Sequence, residues 1–217
     1  MEILVRLDEA RRATNVLEHP FYQRWSGGEL GATELSCYAG EYRHAVIALA
    51  RASAIAADHA GPAHQASLRR HAEEETAHVA LWDEFARATG AAPSMLAGGP
   101  ALAHTKLCVE AWTGGEHLLE HLAILYVIEA GQPEISRTKL DGLSAHYGYS
   151  DEGPATEYFR VHALRDQEHA RQAGELIGEL IAELSDPEEP AEGMLRCAHA
   201  ALYGNWRLLD GVEASAW

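Results

Sequence analysis

ATEYFRVHALRDQEHARQAGELIGELIAEL, residues 155–184, decides the class of fold. The stretch reads as one long helix. The chain around it has the same character: alanine, leucine and glutamate dominate, β-branched runs are nearly absent, and Gly/Pro punctuation falls at intervals that suit helices. Upstream, the turn YGYSDEGP (147–154) follows a short helix from about Pro133 to His146, and downstream SDPEEP (185–190) leads to a last helix, about Ala191 to Leu209. Farther out, helices are expected over 2–18, 33–57, 62–89 and 103–130. His19-Pro20 ends the first, because proline disfavours helical geometry in the residue before it. Ser26-Gly27-Gly28 reads as a loop, Gly61-Pro62 closes one helix and opens the next, and AAPSMLAGGP (91–100) is a connection. Gly114-Gly115 loosens the helix over 103–130. The expectation is an all-α fold, a compact bundle of about seven helices covering 1–217 as a single domain.

The 217 residues carry 33 acidic and 17 basic side chains, a net charge of −16 that repels a phosphate backbone and argues against sequence-independent nucleic-acid binding. The longest apolar run, Leu122 to Ile128, is far short of the ~20 residues of a membrane span, so no membrane association is expected. The opening MEILVRLDEARRA lacks the cationic flank and apolar run of a secretory peptide, which points to the cytoplasm. Cys37, Cys108 and Cys197 are widely spaced and odd in number, and read as reduced thiols.

Chemistry concentrates in three segments. In the quoted helix His162, Asp166 and His169 stand at i, i+4 and i+7, within about 60° of arc on one face. A chain of this composition would produce that spacing by chance only about 0.1 times. Glu129, at the end of HLLEHLAILYVIEAGQ (117–132), continues the apolar stripe Leu122, Leu125, Tyr126. A carboxylate on a core face must be paired, protonated or bound to metal; Arg137 or Lys139 would serve as the partner of a plain salt bridge. Glu75 and His78 in RRHAEEETAHVALW (69–82) are one turn apart, and Glu73, Glu74 and Glu41 remain rivals for the inward carboxylate. The other histidines, His71, His117 and His121 among them, read as partly exposed and non-ligating. Glu75, His78, Glu129, His162, Asp166 and His169 together offer hard oxygen and borderline nitrogen donors without thiolate, a set that suits two iron ions, or iron with manganese. A catalytic zinc normally takes only three protein ligands. A ferritin-like scheme would use Glu41/His44 with Glu75/His78 and leave the His-x3-Asp-x2-His without a place.

HPFYQRWSGGELGATELSCYAGEYRHAV (19–46), EEETAHVALWDEFARATG (73–90), IEAGQPEISRTKLDGLSAHYG (128–148) and EYFRVHALRDQEHA (157–170) resemble the haem-oxygenase-like di-metal oxidases. The resemblance covers about residues 15–175, and the branch is that of the Chlamydia protein associating with death domains and its bacterial relatives. It implies an all-α fold, metal ligands at the same six residues, dioxygen as co-substrate and a reductant as partner. Family substrates differ widely. One branch forms 4-aminobenzoate from its own tyrosine and lysine, and here Lys139 in ISRTKLDGL matches the lysine and Tyr22 the tyrosine, with Tyr42 second. An external amino acid or fatty acid is the other substrate class. The thiaminase-like members of the fold imply a metal-free alternative with Cys108 as nucleophile, and a homodimer is left open. Tyr158, Arg165 and Glu168 are near enough in sequence to orient the histidines, and Trp82 and Tyr126 are expected to line the apolar wall of the site.

Overall fold

The computed structural model describes residues 2–215, so Met1, Ala216 and Trp217 of the expected 1–217 domain lie outside the described residues. All regular structure in that range is helical: α1 (Glu2–Ala13), a 3-10 turn (Val16–Glu18), α2 (Pro20–Gly27), α3 (Ala32–His59), α4 (Pro62–Ala88), the single turn α5 (Pro93–Leu96), α6 (Ala103–Trp112), α7 (Leu118–Glu129), α8 (Gln132–His146), α9 (Pro154–Ala182) and α10 (Glu188–Ser215). Prolines open α2, α4, α8 and α9, where their missing N–H costs nothing.

Two expectations need correction. HPFYQRWSGG is not a break followed by a loop: Pro20 starts α2, and His19 Nδ1 accepts a hydrogen bond from the Phe21 N–H as its N-cap. The helix expected over 103–130 is two, because Gly115 has φ +103°, which a residue with a side chain rarely adopts, and the chain turns there between α6 and α7.

The core has two parts. An aromatic one joins α2, α3, the C-terminal half of α4, α8 and the N-terminal half of α9; an aliphatic one joins α1, the C-terminal half of α9 and much of α10. Helix α7 lies between them, giving Ile124, Leu125 and Ile128 to the first and Leu122, Ala123 and Val127 to the second. A helix buried on every side must be apolar all round, which explains its composition and makes a carboxylate at its end, Glu129, conspicuous. Among the described residues no helix is long and apolar enough to cross a membrane.

Glu41, a rival ligand by sequence, has a different task. Its carboxylate is buried and accepts from the Leu102 N–H (3.0 Å) and the Thr105 hydroxyl, so it caps α6, whose own N-cap residue offers no side-chain acceptor. Glu41→Ala should therefore lower stability by about 2 kcal/mol by leaving both donors unpaired, and Glu41→Gln, which keeps an acceptor oxygen, by less; denaturant midpoints of the two variants check this.

Candidate metal centre

α4 and α9 present matching stripes. On α4, His71, Glu75 and His78 stand at i, i+4 and i+7; on α9, His162, Asp166 and His169 repeat that spacing. The two helices pack together, and Glu129, the last residue of α7, closes the gap between them. Glu75 is at the middle: its Oε1 lies 3.1 Å from His78 Nδ1, 3.7 Å from His169 Nδ1 and 3.9 Å from His71 Nε2, and its Oε2 lies 3.8 Å from His162 Nε2. His71 Nε2 is 2.7 Å from Glu129 Oε1, and Asp166 Oδ1 is 3.9 Å from His169 Nδ1. Two potential ion-binding groups result, one of His71, Glu75, Glu129 and His169 and the other of Glu75, His78 and His162, with Glu75 common to both.

Two of the imidazoles are oriented from behind. His162 Nδ1 donates to the Tyr158 carbonyl (2.7 Å), which leaves the Nε2 lone pair facing the centre, and the Tyr158 ring stacks on it at 3.9 Å. His169 Nε2 meets the Glu74 carboxylate at 3.2 Å, which turns Nδ1 inward. Arg165 in turn lies 3.9 Å from Glu74, whereas Glu168 bonds Arg171 and Gln172 instead.

All seven side chains turn at least one buried nitrogen or oxygen inward that has no hydrogen-bond partner among the described residues; for Glu129 and Asp166 both carboxylate oxygens are in this state. Even the close His71–Glu129 approach lies outside hydrogen-bond geometry. The charged contacts of the three buried carboxylates are imidazoles alone among the described residues. Burial, with the charges of Glu129 and Glu75, holds the Asp166 carboxyl well above its usual range. Glu75 goes the other way: burial would raise it, but His162 and His78 pull it below the usual carboxylate range. Burial lowers His71, but Glu129, with Glu75 and Glu74, raises it further, to about 9. Orphaned lone pairs around a cluster of carboxylates with no lysine or arginine are what divalent cations of the iron and manganese type satisfy.

The six residues expected from sequence all lie in this cluster, and Glu75 rather than Glu73 or Glu74 points in: Glu73 faces an outer groove with Asp58 and Arg69, and Glu74 sits behind His169. His71 was expected to be a bystander and is instead a seventh member, with 11% of its side chain exposed. The signal was present, since His71, Glu75 and His78 have the same spacing as the motif on α9. His121 is buried rather than partly exposed, ring to ring with His59, and is not in the cluster. Tyr126 is no wall of the centre; its hydroxyl donates to Asp8 on α1. Neither salt-bridge partner considered for Glu129 takes that role: Arg137 donates to the Ala163 carbonyl, and Lys139 lies elsewhere.

Lys139 is fully buried, and among the described residues it has no ion pair. Its Nζ lies 4.7 Å from the ring centre of Tyr42, 5.3 Å from Tyr22, 5.4 Å from Tyr38 and Phe159 and 5.8 Å from Trp82. Burial alone lowers its ammonium to about 7. Gly142 lets the lysine's helix meet Trp25: a Cβ there would fall 2.6 Å from the indole, whose Nε1 donates to the Lys139 carbonyl at 3.2 Å. The cage connects with the cluster through rings, Tyr22 and Tyr38 joined by their hydroxyls (3.0 Å), then Tyr42, Trp82 and Tyr158, the last stacked on His162. Cys108 is remote in character from a nucleophile, fully buried with its thiol pushed up by burial.

A sequence profile of a family described as iron-containing redox enzymes matches residues 38–202. The chain is 32% identical to a 4-aminobenzoate synthase of Nitrosomonas europaea, covering 96% of this chain and 89% of that one, and 31% identical to a 4-aminobenzoate synthase of Chlamydia trachomatis, covering 86% and 84%. Among solved structures, a TenA homologue from Pseudomonas syringae superposes with a TM-score of 0.83 at 16% identity over 98% of this chain and 91% of that one. A protein of haem-oxygenase-like fold from Shewanella denitrificans gives 0.76 at 16% over 99% and 90%. These two show the fold alone. The profile match over most of the chain, the extent of the sequence relatives and the helical architecture agree, and the chain belongs to the iron-containing redox enzyme family, an oxidoreductase of haem-oxygenase-like fold.

Proposed function

We propose that the chain, a single domain over 1–217, is a non-haem di-metal oxidase that forms 4-aminobenzoate from its own Tyr22 ring and Lys139 nitrogen. The observation that carries this reading is the Lys139 cage: a buried amine without an ion pair among the described residues, surrounded by tyrosine rings. The relatives named 4-aminobenzoate synthase support it. Glu75, His78, Glu129, His162, Asp166 and His169, joined by His71, are the proposed ligands of two iron ions or of iron with manganese. Bound metal supplies the reduction of dioxygen, with electrons from an external reductant, and the oxidising equivalents the conversion consumes.

The protein's part is positional. The six ring carbons and the β-carbon of one tyrosine account for the seven carbons of the product; Nζ replaces the phenol oxygen, which leaves as water, and its bond to Cε of Lys139 breaks with that carbon oxidised to an aldehyde. Forming the carboxyl oxidises that β-carbon and cleaves its bond to Cα. Near neutral pH much of Lys139 is already the free amine, and the surrounding rings exclude water from it. Tyr22 keeps its proton, because burial raises its phenol well above the ordinary value. An external amino-acid or fatty-acid substrate is the second reading, favoured by a cavity of about 170 Å³ that reaches His71 and His169.

Protein grown on ¹⁵N-lysine and ¹³C-tyrosine, loaded anaerobically with ferrous ion and then given dioxygen and reductant without substrate, should release 4-aminobenzoate carrying both labels. Unlabelled product, or none, would sink the self-consuming reading in favour of an external substrate. Wild type should hold about two ferrous ions per chain, His78→Ala about one, and Glu75→Ala neither, because only Glu75 serves both groups. Metal analysis after gel filtration decides between these outcomes.

Lys139→Met should abolish product yet stabilise the fold. The unfolded lysine holds its proton up to its ordinary 10.5, and the buried one releases it near 7. Folding therefore expels a proton between those limits, and wild-type stability rises with pH across that window. Lys139→Met should be more stable by about 4 kcal/mol at pH 7, the advantage shrinking toward pH 10; denaturation curves measured at several pH values check the slope.

A further inference from the structure

Between α4 and α9, two cavities of about 170 and 160 Å³ share Ser67, His71, His169 and Gln172 as a common wall. Both therefore end on imidazoles of the metal centre. The first is floored by Leu68, Leu122 and Leu125 and rimmed by His64, Glu175 and Glu179. The second opens between Arg70, Glu74, Arg165 and Glu168.

We propose that the first cavity is the path by which ferrous ions reach the centre, with His64, Glu175 and Glu179 drawing the ion in and His71 receiving it. The inference rests on the di-metal reading and adds the route. Four observations carry it. The rim repeats the donor chemistry of the centre, imidazole and carboxylate, in a chain whose net charge is −16. Glu179 has no ion pair among the described residues, and Glu175 shares its partner Arg171 with Glu168, so the rim keeps negative charge. At the inner end His169, 6% exposed, and His71 each hold a ring nitrogen without a hydrogen-bond partner among the described residues. His71 Nε2 is also 2.7 Å from Glu129 Oε1, so an ion arriving there meets its next donor at once. The second mouth differs: there the guanidiniums of Arg70 and Arg165 offset the carboxylates of Glu74 and Glu168, so it lacks the negative excess of the first. The side of the centre toward Lys139 is filled by Tyr158, Trp82 and Phe159, each 2% exposed or less.

The experiment mixes metal-free full-length protein anaerobically with ferrous ion and captures the ion still free at timed intervals with a ferrous chelator. Glu175→Gln/Glu179→Gln should slow uptake roughly three- to tenfold at low salt, with the difference closing at high salt, while the final ferrous content matches wild type. Ser67→Trp, which plugs the shared wall, should slow uptake at every salt concentration. Glu157→Gln, at the other end of α9, should leave the rate unchanged. Wild-type rates in both test variants overturn the route. Slowing by the plug alone assigns uptake to the arginine-flanked mouth and overturns the choice of cavity. A wild-type protein that takes up no ferrous ion overturns the di-metal reading itself, an outcome separate from the other two.

Discussion

Three carboxylates and four imidazoles buried together without a lysine or arginine among them are the constraint on which the rest of this structure depends. Each buried oxygen without a partner costs free energy that apolar packing must offset. The surrounding fold is suited to that load. α4 and α9 are each long enough to carry donors on three successive turns and still anchor both ends in the core. From Leu122 to Ile128 α7 carries no charged side chain and packs into both parts of the core, so Glu129 is delivered to the centre by a helix with no other place to go. The Tyr158 carbonyl and the Glu74 carboxylate fix which nitrogen of His162 and His169 faces inward, a choice that matters only where the lone pair is to be used.

The same constraint divides the molecule. On one side of the centre lies an aromatic compartment closed to water, where Tyr22, Tyr38 and Tyr42 surround Lys139; on the other lie cavities that reach the outside between α4 and α9. Trp82 contacts both Tyr42 and Tyr158, so it belongs to the cage and to the wall of the centre at once. Its Nε1 donates to the Ala39 carbonyl, which ties α4 to α3 at the same point. Packing and chemistry thus draw on the same side chains, and a change in the cage is felt in the core.

The helices were legible because their signals are local: proline at a first turn, glycine past a last one, and acid and imidazole at helical spacing. The sequence misleads where two local signals compete or where the outcome depends on a distant element. Pro20 can end one helix or start another, and only the His19 cap decides for the second role. Glu41 and Glu75 look alike in sequence, each with a histidine three residues on, and the difference between them is that α6 needs a cap beside Glu41 while α9 faces Glu75. His71 carried a recognisable spacing, but a run of three glutamates next to it read as a solvated face. Lys139 gave no intrinsic sign of burial; its place depends on Gly142 and Trp25, two residues whose pairing no helical period encodes.

The Lys139 cage also bears on why such an arrangement persists. A lysine forced toward neutrality by burial alone weakens the fold, and an apolar side chain of similar size would pack there without that cost. Stability therefore does not account for it, and sites that stand against stability are where function is expected. On the self-consuming reading the cost is consistent with the closed walls. An enzyme that takes its carbon and nitrogen from its own side chains needs no passage for an organic substrate, only access for ions, dioxygen and electrons. An external substrate would instead need an open path to the metal centre, and on the side of Lys139 the rings of Tyr22, Tyr38, Tyr42, Trp82 and Phe159 leave none.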